Sequence, residues 1–170
     1  DENVTLNKTI SIADLPEDTP CIQPKISGLD LPFETFNLIG NDGHQITLAD
    51  GSSILIPAGA LDIASDDHFT LLARTFPDKS SAFIAGIPMD HDGGAFESGG
   101  MIELRAERNG ETVAIHPEKP IQAALRLTKP SDGFQFYQLN DLSGEWQTYP
   151  VSFSDRSDDK VISGNSHNEA

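Results

Sequence analysis

The stretch HQITLADGSSILIPAGAL, residues 44–61, decides how this chain folds. Two short runs rich in β-branched residues flank Asp50-Gly51, a dipeptide that favours a hairpin. Two registers are open to it. A two-residue turn on Asp50-Gly51 pairs Leu48 with Ser53 and Ile46 with Leu55, which leaves Ile54 and Ile56 on the opposite face. A three-residue loop, Ala49-Asp50-Gly51 with Gly51 left-handed as a G1 bulge, pairs Leu48 with Ser52 and Ile46 with Ile54. That register gathers Ile46, Leu48, Ile54 and Ile56 on one side. Because a one-residue slip turns a whole apolar set to the other face, the bulged register is expected. Pro57 lacks an N–H and ends the ladder, and residues 58–61 form a tight bend or a single helical turn.

The same alternation recurs on both sides of this hairpin. His68–Phe76, HFTLLARTF, reads as a strand, followed by Asp78-Lys79-Ser80 as a turn into another short run at 82–87. Met101–Arg108, MIELRAER, alternates Ile102, Leu104 and Ala106 with charged residues, so one face is buried and the other wet. Asn109-Gly110 marks a second hairpin that returns through 112–116. Residues 121–127 alternate again, and 134–139 with 145–149 make a third hairpin across Asp141-Leu142-Ser143-Gly144. Residues 21–40, broken by Pro24, Gly28, Pro32 and Gly40, read as an irregular, half-buried lead-in.

This spacing predicts an all-β fold, an antiparallel β-sandwich of roughly nine to eleven short strands with no long helix. Three regions are expected: an N-terminal strand or arm with its linker over 1–20, the sandwich over 21–153, and a polar, disordered tail over 154–170. In the first region Val4, Leu6, Ile10 and Ile12 share a parity interrupted by Lys8, and a Pro-rich acidic linker follows. That strand either opens its own sheet or completes a neighbour's by strand addition, so Val4, Leu6, Ile10 and Ile12 are the candidate interaction residues.

At 170 residues the chain can bury a proper core. Its net charge of −16 argues against nucleic acid, whose phosphates select basic patches, and against anionic membrane surfaces. No run is long and apolar enough to span a bilayer. Cys21 is the single cysteine, so no internal disulfide forms. The chain begins with Asp rather than Met, which is compatible with a removed leader, and a secreted or cell-surface location is expected.

With the strands placed, the run DGSSILIPAGAL (50–61) resembles the signature turn of the ZU-five domain, the β-sandwich of ankyrins and netrin receptors, where a strand ends in Ile-Pro-x-Gly-Ala. FESGGMIELRAERNGETVAIHPEKPIQAALRL (96–127) is similar to the second half of ZU-five-like domains in uncharacterised bacterial surface proteins. FYQLNDLSGEWQTY (136–149) resembles their closing hairpin. The resemblance covers residues 40–150 and implies a non-catalytic structural or interaction module.

Several constellations bear on chemistry. His68-Phe69-Thr70 is similar to the His-Phe-Ser at which some ZU-five domains cleave themselves, with Thr in place of Ser. Its position at the head of a patterned strand points instead to a strand start, and the chain is expected not to be an enzyme. Asp90 and Asp92, at alternate positions before two glycines and with Glu97 close behind, are the candidate ligands for a hard cation such as Ca²⁺. Asp62, Asp66 and Asp67 form a second acidic loop. The five histidines show no zinc-ligand spacing. Trp146, Tyr149 and Phe136 either make a sugar-stacking platform or fill the core. Together these readings predict a non-enzymatic structural or adhesive module whose partner is protein, including self-association through the N-terminal strand. Carbohydrate or calcium binding is the alternative.

Overall fold

The computed structural model describes residues 28–116, 118–126, 135–140 and 143–148, together with the backbone of 152–156 and 159–163. Among them are thirteen strands and one short helix. The first four strands are β1 (Glu34–Ile39), β2 (His44–Thr47), β3 (Ser53–Ile56) and β4 (His68–Phe76), and helix α1 (Lys79–Ile84) follows. Then come β5 (Asp90–His91), β6 (Gly94–Ala95), β7 (Met101–Arg108), β8 (Glu111–Thr112) and β9 (Gln122–Ala124). The last are β10 (Tyr137–Leu139), β11 (Trp146–Thr148), β12 (Ser152–Arg156) and β13 (Asp159–Ser163). The fold is all-β and its strand pairs are antiparallel.

The central hairpin adopts the bulged register. Ile46 stands opposite Ile54, the Leu48 N–H donates to the Ser52 carbonyl at 2.8 Å, and Gly51 takes φ 90°. Ile46, Leu48, Ile54 and Ile56 are all buried on one face as a result. Asp50 locks the turn by accepting from the Ser52 N–H (2.8 Å) and hydroxyl (3.1 Å). The buried Ser52 hydroxyl in turn accepts from the Arg126 N–H at 3.1 Å, which ties the hairpin to the chain just after β9.

Two larger sheets follow from this start. One has the order β1-β4-β7-β8 and the other β12-β13-β9-β3-β2, so the chain leaves the first sheet for the β2–β3 hairpin and returns in β4. Both contribute to a single apolar cluster. Phe36, Leu38, Phe69, Leu71, Ala73, Leu104 and Ala106 come from the first sheet, and Ile46, Leu48, Ile54 and Ile56 from the hairpin. Burying each of the larger aliphatic side chains is worth about 1.5–3 kcal/mol.

Three segments differ from the sequence reading. Residues 34–39 form β1 rather than an irregular lead-in, with Phe36 and Leu38 half-buried against the core. The run after Asp78 is helical: Asp78 is an N-cap whose carboxylate accepts from the Ser81 N–H at 2.8 Å, and Ala82 and Ala85 are fully buried beneath it. Residues from Ser154 onward, expected as a disordered tail, contribute β12 and β13, and β13 extends the second sheet by pairing with β9. The strand expected through Val4, Leu6, Ile10 and Ile12 lies outside the described residues.

A second, smaller core sits on the outer face of the first sheet, where Phe76, Ala82, Ala85 and Ile87 are joined by Leu31, Met89, Met101, Leu139 and Trp146. Beside it Arg74 is 6 % exposed. Its guanidinium donates to Asp30 (2.7 Å), the Leu31 carbonyl (2.9 Å) and Glu103 (2.6 Å), and lies 4.2 Å from the Phe33 ring centre. Burial pulls the Arg74 pKa down, but the hydrogen bonds to Asp30 and Glu103 outweigh it and hold it above the ordinary value. This charge pins residues 30–33 to the sheet.

Candidate functional site

The edge of the first sheet is built by β1. The Gly40 N–H donates to the Asp67 carbonyl directly opposite it in the register (2.8 Å), which makes this a hydrogen-bonded pair. Counting back by twos, Glu34, Phe36 and Leu38 also exchange bonds with β4. Thr35, Asn37 and Ile39 therefore point their N–H and C=O groups away from it. The far side of the sheet agrees: the Val113 N–H donates to Ala106, so even-numbered β7 residues face β8 and odd-numbered ones face β4. Among the described residues β1 is paired on one side only. Three N–H and three C=O groups thus form a row with no partner among the described residues.

Such edges are usually blunted by lysine, proline, a bulge or an inward-pointing charge. β1, ETFNLI, carries no lysine or proline and keeps an unbroken register. Its one charge, Glu34, is turned toward the hairpin loop, where both carboxylate oxygens accept from the Ala49 N–H at 3.1 Å. Ile39 is 55 % exposed at the strand's end. Gly40 stops the strand at φ 77°, where a Cβ would run into the Ser65 carbonyl.

Next to this edge the outer face holds a shallow cleft of about 260 Å³ lined by Asn37, Leu38, His68, Phe69, Thr70, Glu107 and Asn109. Register places Asn37, Thr70 and Glu107 side by side across three strands. The Thr70 hydroxyl donates to Asn37 Oδ1 at 3.3 Å. His68 is exposed at the mouth of the cleft, whereas Phe69 is buried edge-on to His44, their ring centres 5.6 Å apart. The His-Phe-Thr tripeptide thus opens β4, with its aromatic member in the core.

The acidic candidates lie elsewhere. Asp90 is on β5, Asp92 turns the β5–β6 hairpin at φ 50°, and Glu97 is exposed beyond it. The Asp92 carboxylate is 89 % exposed and lies 3.4 Å from His91 Nε2. Among the described residues, no three His, Cys, Asp or Glu side chains converge on a point that could hold a metal ion. In the second acidic loop Asp67 is already engaged. Its carboxylate accepts from the Ala64 N–H and pairs with Arg108, and these hold its pKa below the ordinary value.

The β5–β6 hairpin instead delivers aromatic rings. His91 stacks on Phe96 (5.6 Å between ring centres), and Phe96 meets Tyr137 (4.8 Å) and Trp146 (5.2 Å) edge-on. Trp146 Nε1 donates to the Pro88 carbonyl at 2.8 Å, and its ring packs on the second core. Trp146 therefore meets Phe96, which in turn contacts Tyr137 and His91; Phe136 is half-buried, and Tyr149 lies outside the described residues. Neither the open row nor the cleft is marked by any local motif. Both arise from which strands become neighbours. Val4, Leu6, Ile10 and Ile12, the candidate interaction residues, lie outside the described part. No helix among the described residues is long and apolar enough to cross a membrane. No family model, curated protein or solved structure matches this chain.

Proposed function

We propose that this chain is a non-enzymatic structural or adhesive module of an exported surface protein or extracellular assembly, and that it works by binding protein, its own copies included. The observation that carries this reading is the open edge β1. Strand addition draws its affinity from main-chain hydrogen bonds, which Thr35, Asn37 and Ile39 hold ready, and β1 carries no lysine, proline or bulge to oppose it. The net charge of −16 suits an extracellular setting. A ZU-five-like domain over residues 40–150, which the run DGSSILIPAGAL suggests, would belong to the same class. Sedimentation velocity of the whole chain across a concentration series tests the self-association part of this proposal. Growth of the sedimenting species with concentration supports it, and a monomer throughout opposes it.

The polar cleft favours carbohydrate binding as a second reading. Asn37, Thr70, Glu107 and Asn109 offer amide, hydroxyl and carboxylate groups of the kind that bind sugar hydroxyls. Binding to a glycan array that is abolished by Glu107→Gln would support it, and an array without signal would remove it.

A further inference from the structure

We propose that β1 is the acceptor for residues 3–12 of a second copy of this chain, which add to it as an antiparallel strand and join copies head to tail. This rests on the interaction reading above and names the partner of the same edge. Residues 3–12, NVTLNKTISI, lie outside the described part, so their role is argued from sequence against the geometry of β1.

An added strand must match β1 on both faces. The inward row of β1 is Glu34, Phe36 and Leu38, and the outward row is Thr35, Asn37 and Ile39. Phe36 and Leu38 remain half-buried at the rim of the main core. An apolar row beside them would complete their burial. In residues 3–12 the apolar parity is Val4, Leu6, Ile10 and Ile12, and the polar parity is Asn3, Thr5, Asn7, Thr9 and Ser11. Lys8 breaks the apolar row, and that break selects a register.

Setting Lys8 opposite Glu34 brings its ammonium to a carboxylate that accepts from the Ala49 N–H and keeps lone pairs for a second donor. In an antiparallel strand it also sets Leu6 against Phe36 and Val4 against Leu38 on the inner face. On the outer face Asn7 then meets Thr35 and Thr5 meets Asn37, polar against polar. Sliding the strand by two residues puts Lys8 against Phe36, and sliding by one exchanges the faces. A parallel strand with Lys8 opposite Glu34 also matches. The antiparallel arrangement is chosen because every strand pair among the described residues is antiparallel and such pairing is slightly more stable.

The linker points to a second copy rather than to the strand's own sheet. Between Ile12 and the segment that Arg74 pins stand Pro16, Pro20 and Pro24. Prolines at this spacing favour a semi-rigid spacer over a tight return, which suits a strand given to another copy. A donor and an acceptor at different places on one chain generate a heterologous contact, which propagates as an open chain of copies.

The experiment uses three proteins in sedimentation velocity: the whole chain, a variant lacking residues 1–12, and Asn37→Pro. The N–H of Asn37 faces the open row, so proline removes an edge donor without costing a bond to β4. Ile39→Lys serves as a second edge variant, and matching circular dichroism shows that each variant is folded. The whole chain should grow with concentration, and each variant alone should stay monomeric, with self-association weakened by about 100-fold or more. Mixed, the truncated protein (free edge) and Asn37→Pro (free strand) should form a one-to-one complex. Thr5→Cys on one copy should form a disulfide with Asn37→Cys on the other in a Cys21→Ser background. Self-association of the truncated chain would overturn this inference while leaving the interaction module standing. A whole chain that remains monomeric, with its own residues 1–12 crosslinking intramolecularly to Asn37→Cys, would overturn the second-copy assignment. A monomer without any such crosslink would overturn both.

Discussion

Arg74→Met offers a sharp test of how the outer face is held. The substitution keeps an unbranched apolar stem against Phe33 and Phe76 but removes the charge and three hydrogen bonds, to Glu103, Asp30 and the Leu31 carbonyl. Two of the three acceptors are carboxylates, and breaking a fully buried ion pair costs about 3–5 kcal/mol. The partners here are less confined: the side chains of Asp30 and Glu103 are 35 % and 23 % exposed and can rehydrate. Glu103 also keeps Arg105, which donates to it at 2.7 Å. The loss should therefore fall near 2–3 kcal/mol, most of it from releasing residues 30–33. Urea unfolding at neutral pH measures it as a drop in midpoint of roughly 1–2 M with the slope unchanged. Limited proteolysis should then cut within residues 28–33 faster than in the parent. A change below about 0.5 kcal/mol would show that the stem alone holds the segment, refuting the role assigned to the charge.

Other expectations follow from the hairpin and the loops. Ile54→Ala, at a fully buried position in the main core, should cost about 2–5 kcal/mol in the same assay, whereas Leu55→Ala on the exposed face should cost little. Gly51→Ala forces a side chain into φ 90° and should destabilise by about 1–3 kcal/mol; a D-alanine introduced there by ligation should restore the loss. On Asp50, partial burial raises the pKa, but the Ser52 N–H and the hydroxyls of Thr75 and Ser52 outweigh it and depress it overall. A depressed folded pKa contributes stability that is full above the unfolded value, near 4, and is lost as pH falls through the folded one, so Asp50→Asn should flatten the acid limb of the stability–pH curve. Adding millimolar calcium or EDTA should leave the melting temperature unchanged, because Asp90, Asp92 and Glu97 do not converge; a rise with calcium that Asp92→Asn abolishes would restore that site.

What the sequence disclosed, and what it did not, follows the range of the forces involved. The bulged hairpin was legible because its register is decided within about a dozen residues, by parity and by one glycine. β4 and β7 were legible for the same reason, since each is long enough for its alternation to show. β1 was not, because Pro32 and Gly40 bracket a run whose strand character appears only when β4 supplies a partner. The helix is not legible because Asp78-Lys79-Ser80 serves equally well as a turn or as a helix start capped by Asp78, and the burial of Ala82 and Ala85 decides between them. Arg74 carried a faint sign, a cation on the wet side of an apolar strand. Its acceptors, however, are 44 and 29 residues away in the chain. The open edge depends on sheet order, which no local pattern encodes.

Residue-resolved hydrogen exchange along β1 bears most directly on the claim that this edge is the working surface. In dilute protein the amides of Thr35, Asn37 and Ile39 should exchange fast and those of Phe36 and Leu38 slowly, and the fast set should become protected as concentration rises into the associating range. Equal, concentration-independent protection of all five would contradict the account, because it would mean that the edge is already closed within one molecule.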